Sequence, residues 1–258
     1  MSLKLVDAVH DILKLVAEVS GKPIEFIEKE DLPTFAGIRM ARKDMPAHLL
    51  LYKREHDDLV NHLVAHECGH ILRLFKESAG DRRVYCFTQD AKKVAVTQLT
   101  DEINALSKTM DEDRLIQMVN LWLEGNVKQV TSFPADLMIE RWMYQEYPSL
   151  RSCQLKSIER QRNEGLAGLK TEVASITPPT LLAQSNIMNY AFFRLLGMEF
   201  GTNLVSRYSG TPIVAKGKQL AELTAMSKDE GLLGDIALSE KWAEFLGMKG
   251  WYEWVPLE

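Results

Sequence analysis

Two histidines and a glutamate stand close together in the sequence at His66, Glu67 and His70. In an α-helix, residues four positions apart share a face and lie about 6 Å apart along the axis, so the two imidazoles can converge on one cation. Glu67 follows His66 directly, and its carboxylate can reach a water on that cation without binding the cation itself. Two ligands, an open coordination position and an adjacent base are the requirements of metal-assisted hydrolysis. The spacing therefore predicts His66 and His70 as metal ligands and Glu67 as the general base.

Three further residues of this segment have predicted roles outside the ligand pair. His62 precedes His70 by eight residues, about 12 Å along a helix, so one ion cannot reach both, and we predict His62 as a neighbour of the ligands. Cys68 faces away from both ligand histidines and is predicted to be a small buried thiol. Gly69 costs a helix about 1 kcal/mol relative to Ala, which predicts that another element approaches closely there.

Residues 63–72, which read LVAHECGHIL, resemble the active-site helix of zincin metallopeptidases. With the strands predicted before it, the segment resembles the compact ImmA/IrrE-type peptidases and related gluzincins. The resemblance covers about residues 24 to 75. It implies a zinc-dependent peptidase that acts on a peptide or protein substrate. Two imidazoles and a carboxylate are also a ligand set that favours zinc.

In gluzincins the third ligand is a glutamate on a later helix, accompanied by an acidic neighbour. The resemblance points to Glu140 as the ligand and to Asp136 as the partner of a ligand histidine. The order of these two residues departs from the family pattern, so their roles are interchangeable. Glu102 is the alternative third ligand, because compact relatives place theirs closer to the motif. Tyr144, one helical turn after Glu140, is the predicted oxyanion partner.

The positions of the remaining histidines restrict which three-histidine metal sites are possible. No histidine follows His70, which excludes the metzincin class with its third histidine shortly after the motif. A three-histidine site would require His10, His48 or His56 to fold back onto the helix.

Periodicity predicts an α+β fold that is mostly helical, with a small antiparallel sheet packed on the HExxH helix and additional C-terminal helices. The predicted domains are a zincin-like core over residues 1–150 and a helical region over 151–258 that packs on it. One predicted strand, residues 48–52, is a candidate edge strand for an extended peptide, or an ordinary sheet strand. The predicted elements are a helix over 3–19, strands over 24–27, 36–41 and 48–52, a helix capped by Asp57 or Asp58 and running to Phe75, an extended segment over 84–88, and helices over 91–110, 111–123, 133–147, 154–173, 181–200, 216–225 and 239–246.

Composition and charge narrow the function classes further. The net charge is −5 and no Lys/Arg stripe is present, so nucleic acid is not an expected partner. Three cysteines without a CxxC pair argue against a disulfide framework. The first twenty residues lack an uninterrupted apolar core, and no apolar run reaches the length of a membrane span. We therefore expect a cytoplasmic protein without a membrane segment.

Two alternative functions remain open at the level of sequence. The first is a regulatory or interaction protein that keeps the zincin fold and cleaves one specific partner or none. The second is a metal hydrolase that acts on another amide or an ester. Proteolysis of casein or a peptide library with and without a chelator separates the first from a broad peptidase. The metal content of the purified chain separates both from a helical protein with an accidental motif.

Overall fold

A computed structural model of the chain describes residues 3–32, 36–53 and 58–257. Contacts divide the chain into two compact units. The first unit comprises residues 1–83, 138–160 and 256–258, and the second comprises residues 84–137 and 161–255. This division differs from the predicted boundary at residue 150, because residues 138–160 group with the N-terminal part of the chain and residues 84–137 do not.

The described residues form mostly helices with two small sheets, which agrees with the predicted α+β class. The helices are α1 (Asp7–Ser20), α2 (Leu59–Phe75), α3 (Gln89–Gln98), α4 (Thr100–Leu106), α5 (Glu112–Glu146), α6 (Arg151–Gly165), α7 (Thr171–Ala174), α8 (Pro179–Glu199), α9 (Ile213–Ala225) and α10 (Gly231–Leu246). The strands are β1 (Ile24–Glu28), β2 (Ala36–Arg39), β3 (His48–Tyr52), β4 (Arg83–Cys86) and β5 (Glu253–Pro256).

The sheet of the first unit is mixed, so the prediction of an antiparallel sheet was wrong. Its strand order is β1-β3-β2. β2 pairs with β3 antiparallel, as expected for consecutive strands, whereas β1 pairs with β3 parallel, with Ile24 opposite His48. The chain thus passes from β1 to the far edge of the sheet and returns to the middle. A parallel neighbour leaves no hairpin signature in the sequence, so this pairing was not foreseen.

β3 is the middle strand, which corrects its interpretation as an edge strand for a peptide. Both of its backbone edges are paired, one with β1 and one with β2. Alternate residues His48, Leu50 and Tyr52 are buried, as expected for a central strand. Strand addition to a sheet requires a free row of backbone groups, which β3 lacks.

The long helix α5 departs from the predicted helix boundaries. We predicted separate helices over 111–123 and 133–147, but a single helix of 35 residues continues between them, through Gly125 and through Pro134. A helical Gly costs only about 1 kcal/mol, and burial of residues along the helix, such as Leu123 and Val127, outweighs it. Conversely, the predicted helix over 91–110 is divided at Leu99 into α3 and α4.

α2 is the helix that carries the HExxH motif, and its bounds agree with the prediction. It packs on α1, whose buried face carries Val9, Ile12 and Val16. Asp58 precedes its first residue but makes no side-chain capping bond, and the carboxylate instead accepts from Lys156 Nζ at 2.9 Å. The alternative cap, Asp57, lies outside the described residues.

Gly69 lies on α2 where the C-terminal part of α5 approaches most closely. A Cβ built on Gly69 would lie 2.5 Å from Cγ2 and 2.9 Å from Cγ1 of Ile139. Real carbon atoms do not approach so closely, so a side chain at this position would push the two helices apart. The expectation that Gly69 makes room for another element is confirmed, and that element is the turn of α5 that also carries Glu140.

We expect Gly69→Ala to lower the free energy of unfolding by about 1–3 kcal/mol, because the added methyl overlaps Ile139. Urea denaturation monitored by circular dichroism measures this change. Gly125→Ala is the matched control: Gly125 is also helical, but a Cβ there meets no atom within 4 Å. The control should be neutral or stabilising by up to about 1 kcal/mol. Equal effects of the two substitutions would contradict the close packing at Gly69.

The second unit has its own aromatic and aliphatic core. Phe133 stacks on Phe192 with ring centroids 4.5 Å apart and meets Trp242 edge to face. Trp251, on the aromatic tail, is buried and its indole donates to Gln98 Oε1 at 2.7 Å. Tyr252, the next residue of the tail, is buried as well. Among the described residues, no helix combines the length and the apolar character needed to cross a bilayer.

Candidate metal centre

α2 carries three histidines spaced one helical turn apart, His62, His66 and His70, and a glutamate, Glu67, that follows His66. His62 is buried, whereas His66, Glu67 and His70 are partly exposed. The neighbouring helical positions Val64, Ala65 and Cys68 are buried, so the apolar side of α2 determines where the imidazoles point. Burial raises the pKa of the Cys68 thiol, as does the nearby carboxylate of Glu67. Cys68 is therefore a small, buried and protonated thiol, as predicted.

His66 and His70 face each other through the same ring atom. Their Nε2 atoms are 3.2 Å apart, and the ring planes are inclined by 75°. Two nitrogens bound tetrahedrally to one zinc ion at about 2.0–2.1 Å would lie about 3.3 Å apart. The observed separation therefore fits two ligands of a single ion.

Glu140, on α5, lies on the opposite edge of the His66 ring. Its Oε1 is 2.8 Å from His66 Nδ1 and 2.9 Å from His62 Nε2, and its Oε2 is 3.1 Å from the same His62 atom. The Glu140 side chain is almost entirely buried, with 1% of its surface exposed. A carboxylate at this depth requires hydrogen-bond donors, and both imidazoles supply them.

These contacts determine which nitrogen of His66 is protonated. An ionised carboxylate only accepts hydrogen bonds, so His66 Nδ1 and His62 Nε2 must both carry hydrogen. In the neutral His66 ring, Nε2 then holds a lone pair directed toward His70. A carboxylate that fixes the tautomer of a ligand histidine in this way is a recurrent feature of metal sites.

The ionised state of Glu140 follows from the balance of two effects. Burial raises the pKa of the Glu140 carboxyl, but His62 and His66 outweigh it, through their charges when they are protonated and through their hydrogen bonds. The pKa consequently lies well below its ordinary value. The carboxylate is therefore an acceptor at neutral pH, as the assignment of the His66 tautomer requires.

Gln154 is a part of this cluster that the sequence did not reveal. It lies on α6, is fully buried, and donates from Nε2 to Glu140 Oε2 at 2.6 Å and to the Glu140 backbone oxygen at 2.8 Å. Glutamine on a helix is usually a surface residue, so neither its type nor its spacing distinguishes it. Only the folded chain shows that it contacts Glu140.

The cluster can hold a metal ion. His62, His66 and Glu140 offer donor atoms close enough to one another to share an ion. This set uses Nδ1 of His66, whereas the pair formed with His70 uses Nε2 of the same ring. The two rings of the HExxH motif and Glu140 therefore do not converge on one point in this arrangement.

The remaining predicted site residues lie in the following places. Asp136 is buried one turn before Glu140 on α5, and the division into two units falls between them, so its role stays a prediction. The ring of Tyr144 lies 4.6 Å below the guanidinium of Arg151, and its predicted oxyanion role is likewise untested. Glu102 caps the start of α8, because its carboxylate accepts from the backbone N and the hydroxyl of Thr180.

The other histidines considered as third ligands have different environments. His48 is buried in β3, where Nδ1 accepts from the backbone N of Ala41 at 3.0 Å and Nε2 lies 3.0 Å from Ser20 Oγ. His10 is exposed on α1, and His56 lies outside the described residues.

Fold and site together define an α+β protein with a buried His/Glu cluster that can bind a metal. Comparison with protein-family models, with curated proteins and with solved structures found no match to this chain. The function must therefore be argued from the cluster itself.

Proposed function

We propose that this protein is a zinc-dependent hydrolase, and specifically a peptidase of zincin type. The observation that carries the proposal is the 3.2 Å separation of the Nε2 atoms of His66 and His70 on the helix that also bears Glu67. The resemblance of residues 63–72 to the active-site helix of zincins supports the same reaction class. Imidazole ligands suit zinc better than they suit magnesium or calcium.

The Nε2 side of His66 is better suited to catalysis than the Nδ1 side. His62 and Glu140 are 4% and 1% exposed, and His62 Nε2 already hydrogen-bonds both carboxylate oxygens of Glu140. The His66 side chain is 18% exposed, and His70 and Glu67 are also partly exposed. A hydrolytic metal needs an open position for water and substrate, which the buried side of the cluster does not offer.

If the ion binds at Nε2 of His66, Glu140 is a hydrogen-bond partner of His66 and not a ligand of the ion. Because Glu140 binds Nδ1, an ion at Nε2 lies across the ring from it, and Glu140 serves to orient the imidazole. The sequence leaves the roles of these two carboxylates interchangeable, so Asp136 stays the sequence-based candidate for the third ligand. Helical spacing places it on the same face of α5 as Glu140.

In the proposed reaction, His66, His70, Glu140 and Glu67 have the following roles. His66 and His70 hold the ion through Nε2, and Glu140 keeps the His66 lone pair directed at it. Zinc, when bound, lowers the pKa of a coordinated water to about 7 and polarises the scissile carbonyl. Glu67 would accept a proton from the attacking water at its carboxylate and pass it to the leaving amine.

Proteolysis assays with and without a chelator test the proposed function. We expect purified protein loaded with zinc to cleave casein or members of a peptide library, and 1,10-phenanthroline to abolish cleavage, because removal of the ion removes the activated water. Restoration by added zinc is the control for nonspecific inhibition. Bound zinc without cleavage of any peptide would instead favour the regulatory alternative or hydrolysis of a different bond. A chain that binds no metal would contradict both.

A further inference from the structure

The amide of Gln154 is directed entirely at one residue. Its Nε2 donates to both the side chain and the backbone of Glu140, at 2.6 and 2.8 Å. Its Oε1 is buried and has no hydrogen-bond partner among the described residues. A buried amide normally satisfies its oxygen as well. The orientation of this one is therefore set by what Glu140 requires.

Glu140 receives donors from three helical positions. His66 contacts only Oε1, whereas His62 contacts both oxygens and Gln154 contacts Oε2. The Gln154 contact is the shorter of the two at Oε2. Without Gln154, the buried Oε2 keeps only the longer bond from His62, so the carboxylate is held less firmly in the orientation in which Oε1 accepts from Nδ1 of His66.

We propose that Gln154 is a positioning residue that holds Glu140 in the orientation that fixes the His66 tautomer. Gln154 touches neither His66 nor the proposed ion, and it acts through the carboxylate between them. While Glu140 accepts from Nδ1, the lone pair of His66 stays at Nε2, facing His70. The expected effect of Gln154 on metal affinity rests on the proposed function. Its expected effect on the His66 tautomer does not.

The test combines nitrogen-15 NMR of the imidazoles with zinc competition titration, for wild type and Gln154→Met. His66 signals are assigned from their loss in a His66→Gln variant. In the metal-free wild type, His66 should be the Nδ1–H tautomer, and in Gln154→Met a substantial Nε2–H population should appear. Zinc affinity should fall by about 10- to 100-fold, the usual effect of losing an outer hydrogen-bonding partner.

Controls separate positioning from a general loosening of α6. Ile158→Ala removes a buried side chain one turn further along α6, and it should lower stability without changing the His66 tautomer. If Gln154→Met does not fold, Gln154→Asn keeps a buried amide that is one methylene too short to reach Oε2. It should show the same tautomer change.

An unchanged His66 tautomer in a folded Gln154 variant would overturn the proposal, and so would an equal change in Ile158→Ala. A changed tautomer in a chain that binds no zinc would uphold the positioning role and refute the metallohydrolase function. The two failures are therefore distinguishable.

Discussion

Replacement of Glu67 by Gln should abolish hydrolysis while zinc stays bound. The amide has the shape of the carboxylate but cannot accept the proton of the metal-bound water. General-base catalysis typically contributes about 10²- to 10⁴-fold, and kcat should fall by that factor. Because Glu67 does not ligate the ion in this account, the zinc dissociation constant should change little.

Steady-state peptidase kinetics and a zinc competition titration on the same preparation measure both quantities. Glu18→Gln is the matched control, since Glu18 is an exposed glutamate on α1. It should retain full activity. Full activity of the Glu67 variant would exclude the base role, and loss of zinc from it would make Glu67 a ligand instead.

Glu140→Ala should have the largest effect on both stability and metal binding. Three buried donors, from His62, His66 and Gln154, would lose their shared acceptor. Each orphaned donor costs about 1–3 kcal/mol, so the free energy of unfolding should fall by on the order of 3 kcal/mol or more. Zinc affinity should drop at least about 10- to 100-fold, because His66 is no longer held in its ligand tautomer.

Glu102→Ala is the control for Glu140→Ala, because it removes a different acidic side chain that also accepts hydrogen bonds. Glu102 accepts two hydrogen bonds from Thr180 at the start of α8, so its removal should cost about 1 kcal/mol, as for a helix cap. Zinc affinity should not change. Denaturant titrations and zinc competition on both variants provide the comparison. A loss of zinc from Glu102→Ala alone would transfer the third-ligand role to Glu102.

Local sequence patterns predicted the elements that carry the site. Helical spacing alone places His66 and His70 on one face, and a short apolar run identified β3 with its observed ends. Gly69 was interpreted correctly as a point of close approach, because an unfavourable residue in a helix interior needs a packing reason. These inferences depend only on residues that are close in the sequence, so residue type and spacing are sufficient to make them.

Long-range arrangements were not predictable in the same way. The continuity of α5 through Gly125 and Pro134 depends on tertiary burial that outweighs two unfavourable residues. The parallel pairing of β1 with β3 depends on a crossover connection, which has no characteristic turn residues in the sequence. The edge of the His66 ring that meets Glu140, and the presence of Gln154 behind it, depend on side-chain orientations from three separate helices.

The central claim is that the Nε2 atoms of His66 and His70 bind one zinc ion. Zinc-edge X-ray absorption of the protein loaded with one equivalent of zinc tests it, with His70→Ala and His62→Ala as paired variants. We expect two imidazole nitrogens at about 2.0–2.1 Å in wild type and His62→Ala, and one in His70→Ala. A shell that is unchanged in His70→Ala but loses an imidazole in His62→Ala would place the ion beside Glu140 and contradict the account.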